Sequence, residues 1–388
     1  MGASEPALLK FKASHLILDE AGQATPIDVF SVLQRLHNAP RAPKPGAVNI
    51  TIVGDHKQLG PVVLQAGDAK LYRERSPIER LMTVGLVEQH LLDTNHRAHP
   101  LITELTSALF YDGEIKAATG IEHEKEEALR RYLFWPSMRY PIIGINVNGR
   151  MKKNKQTGSI SNSDEVRVIV ALLQSLVTTF NVDDIKALTF YQQQRTELCR
   201  AMQQHSSLNG IDVRTCDSFQ GQQARIVIVS CVRASDDAST GSLGFVGVES
   251  RLCVAMTRAE QMLIVVGCKQ LLRQSKIFDK FWAAVESNGT CMSECWPNQL
   301  PVTPPQPPKR IVQRRSTSEK RDVGKDDSKL GDSKASGLTG SNEPKSKKPR
   351  LSGYECLIYG PNPEDIVEDY DWFFGADDSN MIELNEPT

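Results

Sequence analysis

No stretch of the 388 residues approaches the roughly eighteen apolar residues a bilayer-crossing helix needs. No apolar signal segment follows Met1 either, so neither helical membrane insertion nor a secretory leader is expected. The eight cysteines are scattered without an even-spaced framework, a usage that suits a reducing compartment. Cys291 and Cys295 stand close together, but no second Cys/His pair completes a zinc site, so both read as ordinary thiols. No internal repeat is found. Also missing is Gly-x-x-x-x-Gly-Lys-Ser/Thr, the loop that wraps nucleotide phosphates in backbone N–H groups. The sole Gly-Lys pair, Gly324-Lys325, runs into Asp326.

What is present is ordinary soluble protein: 40% hydrophobic and 24% charged, in a chain long enough for two core-bearing domains. The net charge of -1 hides segregation. Residues 301–350 carry 13 Lys/Arg against 6 Asp/Glu, a net of +7, while 351–388 carry 10 Asp/Glu and neither Lys nor Arg. Residues 1–300 keep about +2. The whole-chain balance therefore says little about partners.

Two short apolar runs, 15–18 and 49–53, each close on a polar, acid-bearing turn. They read as buried parallel strands with chemistry at their C-terminal ends. Residues 26–37 between them have helical spacing behind Pro26. The same alternation recurs, with strands expected at 142–147, 186–190, 225–232 and 262–267 and helices at 164–179, 193–205 and 250–258. Asp164 and Glu165 suit the N-terminus of the first of these helices. Strand–helix alternation of this kind implies an α/β fold on parallel sheets, with too few strands before residue 90 for a complete first domain.

The first run continues as Leu16-Ile-Leu-Asp-Glu-Ala21, paired acids after a strand. In a nucleotide hydrolase such a pair holds Mg²⁺ through water and polarises the attacking water. Alone, the pair is commonplace. The second run, Val53-Gly-Asp-His-Lys-Gln-Leu-Gly-Pro-Val62, adds a glycine turn bearing Asp55 and Gln58. Further on come Asn95-His-Arg-Ala-His-Pro100, Thr189-Phe-Tyr-Gln-Gln-Gln194, Arg214-Thr-Cys-Asp-Ser-Phe-Gln-Gly221 and Val254-Ala-Met-Thr-Arg-Ala259. In this order the strings resemble the Walker B box and motif III of superfamily 1 helicases, their arginine segment, and motifs IV, V and VI. Gly-Asp-x-x-Gln-Leu-Gly-Pro with Phe-Gln-Gly resembles the branch that contains senataxin and the nonsense-mediated-decay helicase. The resemblance covers about residues 11–272.

It implies RecA-like parallel sheets, with the C-terminal part of a first RecA-like domain over 1–89 and a second RecA-like domain over 90–298. A basic disordered linker over 299–350 and an acidic aromatic tail over 351–388 follow. It implies an ATP- and Mg²⁺-dependent nucleic-acid helicase moving 5′ to 3′, on single-stranded RNA rather than DNA. Asp19 would organise Mg²⁺, Glu20 activate water, and Gln58 sense the γ-phosphate. Arg97 and Arg258 would neutralise charge on the transferring phosphoryl group, as arginine fingers do. By itself either arginine reads as a surface ion pair worth under about 1 kcal/mol. Pro61, Val62, Tyr191 and Ser218 are the implied nucleic-acid contacts, and each reads equally as a packing residue. The family's motif V glutamate is replaced by Gln223, which would contact the nucleotide without a carboxylate. The aromatic before the arginine is His96.

In the family a P-loop strand precedes the Asp-Glu box, so its absence here reads as a truncated sequence, a fragment or a shortened isoform. Two functional classes stand: a motor of which this is one part, and a non-motor nucleic-acid-binding or regulatory protein. Lys345–Arg350 resembles a nuclear-import signal, placing the chain in nucleus or cytoplasm, and reads equally as incidental linker charge. The acidic tail suits a protein partner or its own basic neighbour.

Overall fold

A computed structural model describes residues 15–38, 49–61, 76–85, 87–120, 132, 135–137, 139–234, 243–300 and 356–359. Its contacts form two units, 1–303 with 352–388, and 304–351; every described residue belongs to the first. The basic linker beyond residue 300, the segment Lys345–Arg350 and Val62 lie outside the described residues.

The smaller sheet is built from β1 (His15–Leu18), β2 (Asn49–Gly54) and β3 (Glu88–Leu91), with α1 (Pro26–Asn38) joining the first two and α2 (Pro77–Val84) preceding the third. β1 and β2 run parallel, Leu18 opposite Ile52. α2 is closed at both ends: Ser76 Oγ accepts from the Glu79 N–H, and Gly85 takes the left-handed conformation at φ 71° that a side chain would oppose. The sheet order is β1-β2-β14-β3, where β14 (Cys356–Tyr359) comes from the acidic tail and runs antiparallel to both neighbours. Among the described residues the tail thus contributes one strand. Leu-Ile-Tyr is strand-prone, and the facing edges of β2 and β3 offer open ladder groups.

β3 is largely polar and carries no strand signal in the sequence. β1 is buried on one face only, because Ile17 is 68% exposed while Leu18 is 5% exposed. The small core holds Leu18, Ala21, Val29, Ile52 and Ile78, which leaves Ile17, Ile27 and Leu91 uncovered among the described residues.

The larger sheet has six strands, β6 (Ile142–Asn146), β9 (Ile185–Thr189), β10 (Asp212–Thr215), β11 (Ala224–Ser230), β12 (Ala259–Gly267) and β13 (Cys291–Ser293), in the order β10-β9-β11-β12-β6-β13. Every pairing is parallel. Such a sheet is covered on both faces, and its strands show it. In β11, Val227 and Val229 join one core while Ile226 and Ile228 join the other. The first core packs against α3 (Pro100–Phe110), α6 (Glu249–Thr257) and α8 (Lys276–Ser287); the second packs against α4 (Ser163–Leu176) and α5 (Gln192–Met202). Trp282 of α8 lies so close to β6 that a Cβ at Gly144 would stand 2.5 Å from its ring. β10 and β13 were not read from the sequence, being short and, in β10, polar at alternate positions.

The start of α4 departs from its reading. Asn162 is the cap, its Oδ1 accepting from the N–H groups of Asp164 and Glu165 at 3.1 and 3.2 Å. Glu165 points inward and is fully buried. Its Oε2 accepts from Ser230 Oγ at 2.6 Å and from the Val232 N–H at 2.9 Å. Val232 sits at φ 70°, an unfavourable conformation for a β-branched residue. The Asn162 amide donates to its carbonyl at 3.2 Å, so Glu165 and Asn162 clamp it from both sides.

Burial pushes the Glu165 carboxyl up to about 8 from an ordinary 4.5, against the lowering effect of its Ser230 and backbone bonds. The folded chain therefore keeps a proton that the unfolded chain releases. Its stabilising effect is complete below about pH 4.5, declines between there and pH 8, and is lost above. Urea unfolding of wild type and Glu165→Gln from pH 5 to 8.5 should show the wild type losing ground steadily to the variant. A difference independent of pH would contradict a neutral buried carboxyl.

Candidate active site

The strand ends bring the two acid-bearing turns together. After Leu18, Asp19 Oδ1 accepts from the Glu20 N–H at 2.8 Å, and Glu20 adopts φ 54°, a left-handed conformation rare for a non-glycine residue. Gln23 Nε2 then donates to Glu20 Oε2 at 3.1 Å, fixing the carboxylate. The turn lies directly against the end of β2: the Ala21 N–H donates to the Val53 carbonyl at 2.9 Å. A Cβ at Gly22 would stand 2.7 Å from the Asp55 carbonyl oxygen, and one at Gly54 would stand 2.9 Å from the Gly22 nitrogen. Only glycine allows this approach at either position.

Beyond β2, Asp55 Oδ1 accepts from the Lys57 N–H at 2.9 Å, an Asx turn. Its Oδ2 accepts from Gln58 Nε2 at 2.7 Å. Gln58 is buried, and its Oε1 accepts from Arg258 Nη2 at 2.7 Å. Burial holds the His56 imidazole below its ordinary value despite neighbouring Asp55, so it adds no charge at neutral pH.

Arg258, at the end of α6, is only 4% exposed. Its guanidinium donates to the carbonyls of Val254 (3.2 Å) and Gln222 (3.3 Å), to Thr257 Oγ1 (3.2 Å) and to Gln58. Every one of these acceptors is neutral. A buried cation satisfied in hydrogen bonds but not in charge favours an anion beside it.

Arg97 stands nearby. Asn95 Oδ1 accepts from the Arg97 N–H at 2.8 Å, while Nη2 donates to the Thr257 carbonyl at 2.8 Å and Nη1 to Gln223 Oε1 at 3.2 Å. Gln223, expected at the nucleotide, thus touches the arginine. Gly221, at φ 76°, faces the acids: a Cβ there would lie 3.8 Å from Glu20 Oε1. Asp19, Glu20, Gln58, Arg97, Gln223 and Arg258 therefore gather from both sheets around one cleft. The donor set fits the terminal-phosphate end of a nucleotide with its metal: two arginines, a glutamine amide, and an acid pair of which Asp19 would face Mg²⁺. Mg²⁺ normally takes one or two carboxylates and completes its shell with phosphate and water. Among the described residues no cluster of three or more His, Cys, Asp or Glu forms a metal cage.

The expected nucleic-acid contacts fall elsewhere. Ser218 is exposed, its hydroxyl donating to the Thr215 carbonyl at 2.9 Å. Tyr191 is buried, stacked on Phe245 with centroids 5.6 Å apart. Phe245 is the exposed member of that pair, with Arg251 over its ring at 4.7 Å and Asp217 accepting from Arg251 at 2.8 Å. Pro61 is buried. Sequence reasoning missed Tyr111, whose hydroxyl donates to Asp55 Oδ2 at 2.6 Å. Nothing in its helix-end position signals a partner 56 residues away.

The AAA domain family model matches residues 73–270. Regulator of nonsense transcripts 1 from Dictyostelium discoideum is 29% identical over 72% of this chain and 20% of its own length. The ATP-dependent helicase upf1 of Schizosaccharomyces pombe is 28% identical over 80% of this chain and 33% of its own, and helicase SEN1 of Saccharomyces cerevisiae 29% over 70% and 12%. The chain thus spans a third or less of the length of these relatives. Among solved structures, an arterivirus nonstructural protein 10 helicase aligns over 67% of this chain and 41% of its own at 16% identity, with a TM-score of 0.32.

The packing of the two turns gives a direct test. Gly22→Ala forces a methyl onto backbone, not onto a yielding side chain, and should lower stability by about 1–3 kcal/mol. Urea denaturation measures it; an unchanged midpoint would mean the turns do not touch.

Proposed function

Because this chain belongs to the AAA domain family, in the superfamily 1 helicase branch of Upf1 and senataxin, we propose that it forms the terminal-phosphate side and second RecA-like domain of an ATP-dependent nucleic-acid translocase. Single-stranded RNA is the proposed track, travelled 5′ to 3′, with the nucleus or cytoplasm as the setting. The observation that carries this reading is Arg258, a buried guanidinium with only neutral partners, donating to Gln58 beneath the acid pair. A purely structural arginine gains nothing from that arrangement. The names of the relatives, which include a regulator of nonsense transcripts, support RNA as the track.

ATP with Mg²⁺ supplies a phosphoryl group whose loss to water is strongly favourable. Around it, Asp19 would hold the metal through water, and Glu20 would take a proton from the attacking water. Gln58 would sense the γ-phosphate, while Arg97 and Arg258 would neutralise charge developing on the phosphoryl group. The Gln223 amide oxygen accepts from Arg97 and helps set the direction of the guanidinium. Exposed Ser218, with Val62, is proposed to follow the strand backbone. Grip of that kind weakens steeply with salt. A protein partner for the acidic tail belongs to the same proposal.

The 388 residues contain no Gly-Lys-Ser/Thr cradle, so this polypeptide by itself is proposed to bind RNA without turning ATP over. Steady-state phosphate release with saturating single-stranded RNA should stay at background, while RNA affinity falls between 50 and 200 mM salt. Robust turnover abolished by Glu20→Gln would overturn the first statement. Salt-independent or absent RNA binding would remove the second.

A further inference from the structure

Tyr111 belongs to none of the sequence motifs, yet it closes a ring of contacts between the two sheets. Its hydroxyl donates to Asp55 Oδ2 at 2.6 Å. The same oxygen accepts from Gln58 Nε2 at 2.7 Å, and Gln58 Oε1 accepts from Arg258 Nη2 at 2.7 Å. Arg258 caps α6, the helix that also carries Cys253, and Cys253 Sγ lies 3.1 Å from the Tyr111 hydroxyl. The ring therefore runs Tyr111, Asp55, Gln58, Arg258, α6, Cys253 and back to Tyr111. Tyr111, Gln58, Arg258 and Cys253 are all less than 9% exposed.

We propose that Tyr111 is a positioning residue: it holds the Asp55 carboxylate so that the Gln58 amide presents nitrogen to Asp55 and oxygen to Arg258. The inference rests on the helicase reading, in which Gln58 and Arg258 face the terminal phosphate. An amide side chain is nearly symmetric in shape, so only its partners decide which end points where. A carboxylate can only accept and an arginine can only donate, which fixes the orientation of the glutamine between them. Asp55 Oδ1 is already taken by the Lys57 N–H at 2.9 Å. Tyr111 supplies the remaining anchor from the second sheet. Burial, with Cys253 and Asp55 beside it, keeps the phenol well above its ordinary value, so it stays a donor throughout the physiological range. A shift of α6 against β2 must then move Tyr111, Asp55 and Gln58 together. Domain movement is read at the amide.

A tyrosine that merely fills space would not need its hydroxyl, and this separates the two roles. Hydrogen exchange of the full 388-residue chain should be compared among wild type, Tyr111→Phe, Asp55→Asn, Gln58→Ala and the pairwise doubles. A bond to a charged group predicts roughly tenfold or greater acceleration of exchange over 49–54 on Tyr111→Phe. Strands 185–189 and 225–230 should be unaffected. Tyr111→Phe combined with Asp55→Asn should give less than the product of the single effects, because the asparagine oxygen is a weaker, uncharged acceptor for the same hydroxyl. Tyr111→Phe with Gln58→Ala should give less than the product of the single effects, because both act through Asp55. Equal acceleration in both sheets, no acceleration over 49–54, or simple multiplication would each overturn the proposal. Asp55→Asn probes the same bond from the other side if Tyr111→Phe does not fold. Neither ATP nor RNA enters the readout, so a failed helicase reading and a failed ring are told apart.

Discussion

The hydrogen bond from Arg258 to Gln58 is the point on which the cleft depends. It crosses between sheets built 200 residues apart in the chain, and it places a positive charge where burial would normally forbid one. Carbonyls and a hydroxyl meet the directional demands of the guanidinium, but they do not cancel its charge. An anion beside the guanidinium would complement that charge. The close seating of the Gly22 and Gly54 turns brings the acids within reach of that charge. Remove either glycine contact and Asp19, Glu20 and Gln58 no longer share one space.

Beneath the cleft lies a six-stranded parallel sheet packed on both faces, rigid enough to hold Arg97, Gln223 and Arg258 at its edge. The smaller sheet is of another kind. Its core is slight, and strand β1 keeps only one face dry. Charge placement thus depends on the larger sheet, and the acids ride on the less consolidated partner. Gln223, just ahead of the larger sheet's strand β11, positions Arg97 through its amide oxygen.

Much of this was legible in the sequence, for a physical reason. The acid pair and Gln58 sit in turns just past β1 and β2, so their chemistry and spacing are local, and the runs before them are largely apolar. Gln58 and Arg258 meet directly, and Arg97 lies against Gln223. What was illegible depends on distant contacts. Glu165 reads as a charge favouring a helix N-terminus, yet Asn162 does the capping and Glu165 turns inward to clamp Val232. Tyr191 reads equally as a nucleic-acid contact and as a packing residue, and Phe245 from a later segment stacks on it. Strands β10 and β13 are too short for periodicity to register, and β3 is largely polar. The tail strand β14 exists by virtue of edges supplied by residues 51–54 and 88–91, which no local pattern announces.

The unpaired thiols give the chain an internal chemical reporter. Cys216, Cys231, Cys253 and Cys268 are free and buried, and burial holds the first three well above their ordinary range. Since the thiolate is the reactive species, these groups are silent to alkylating reagents while the sheets stay closed. Cys295 is exposed and free, so it marks the intact surface from the outset. Cys253 shares the Tyr111 hydroxyl, and its first appearance among labelled residues would date the parting of the two sheets without any added probe.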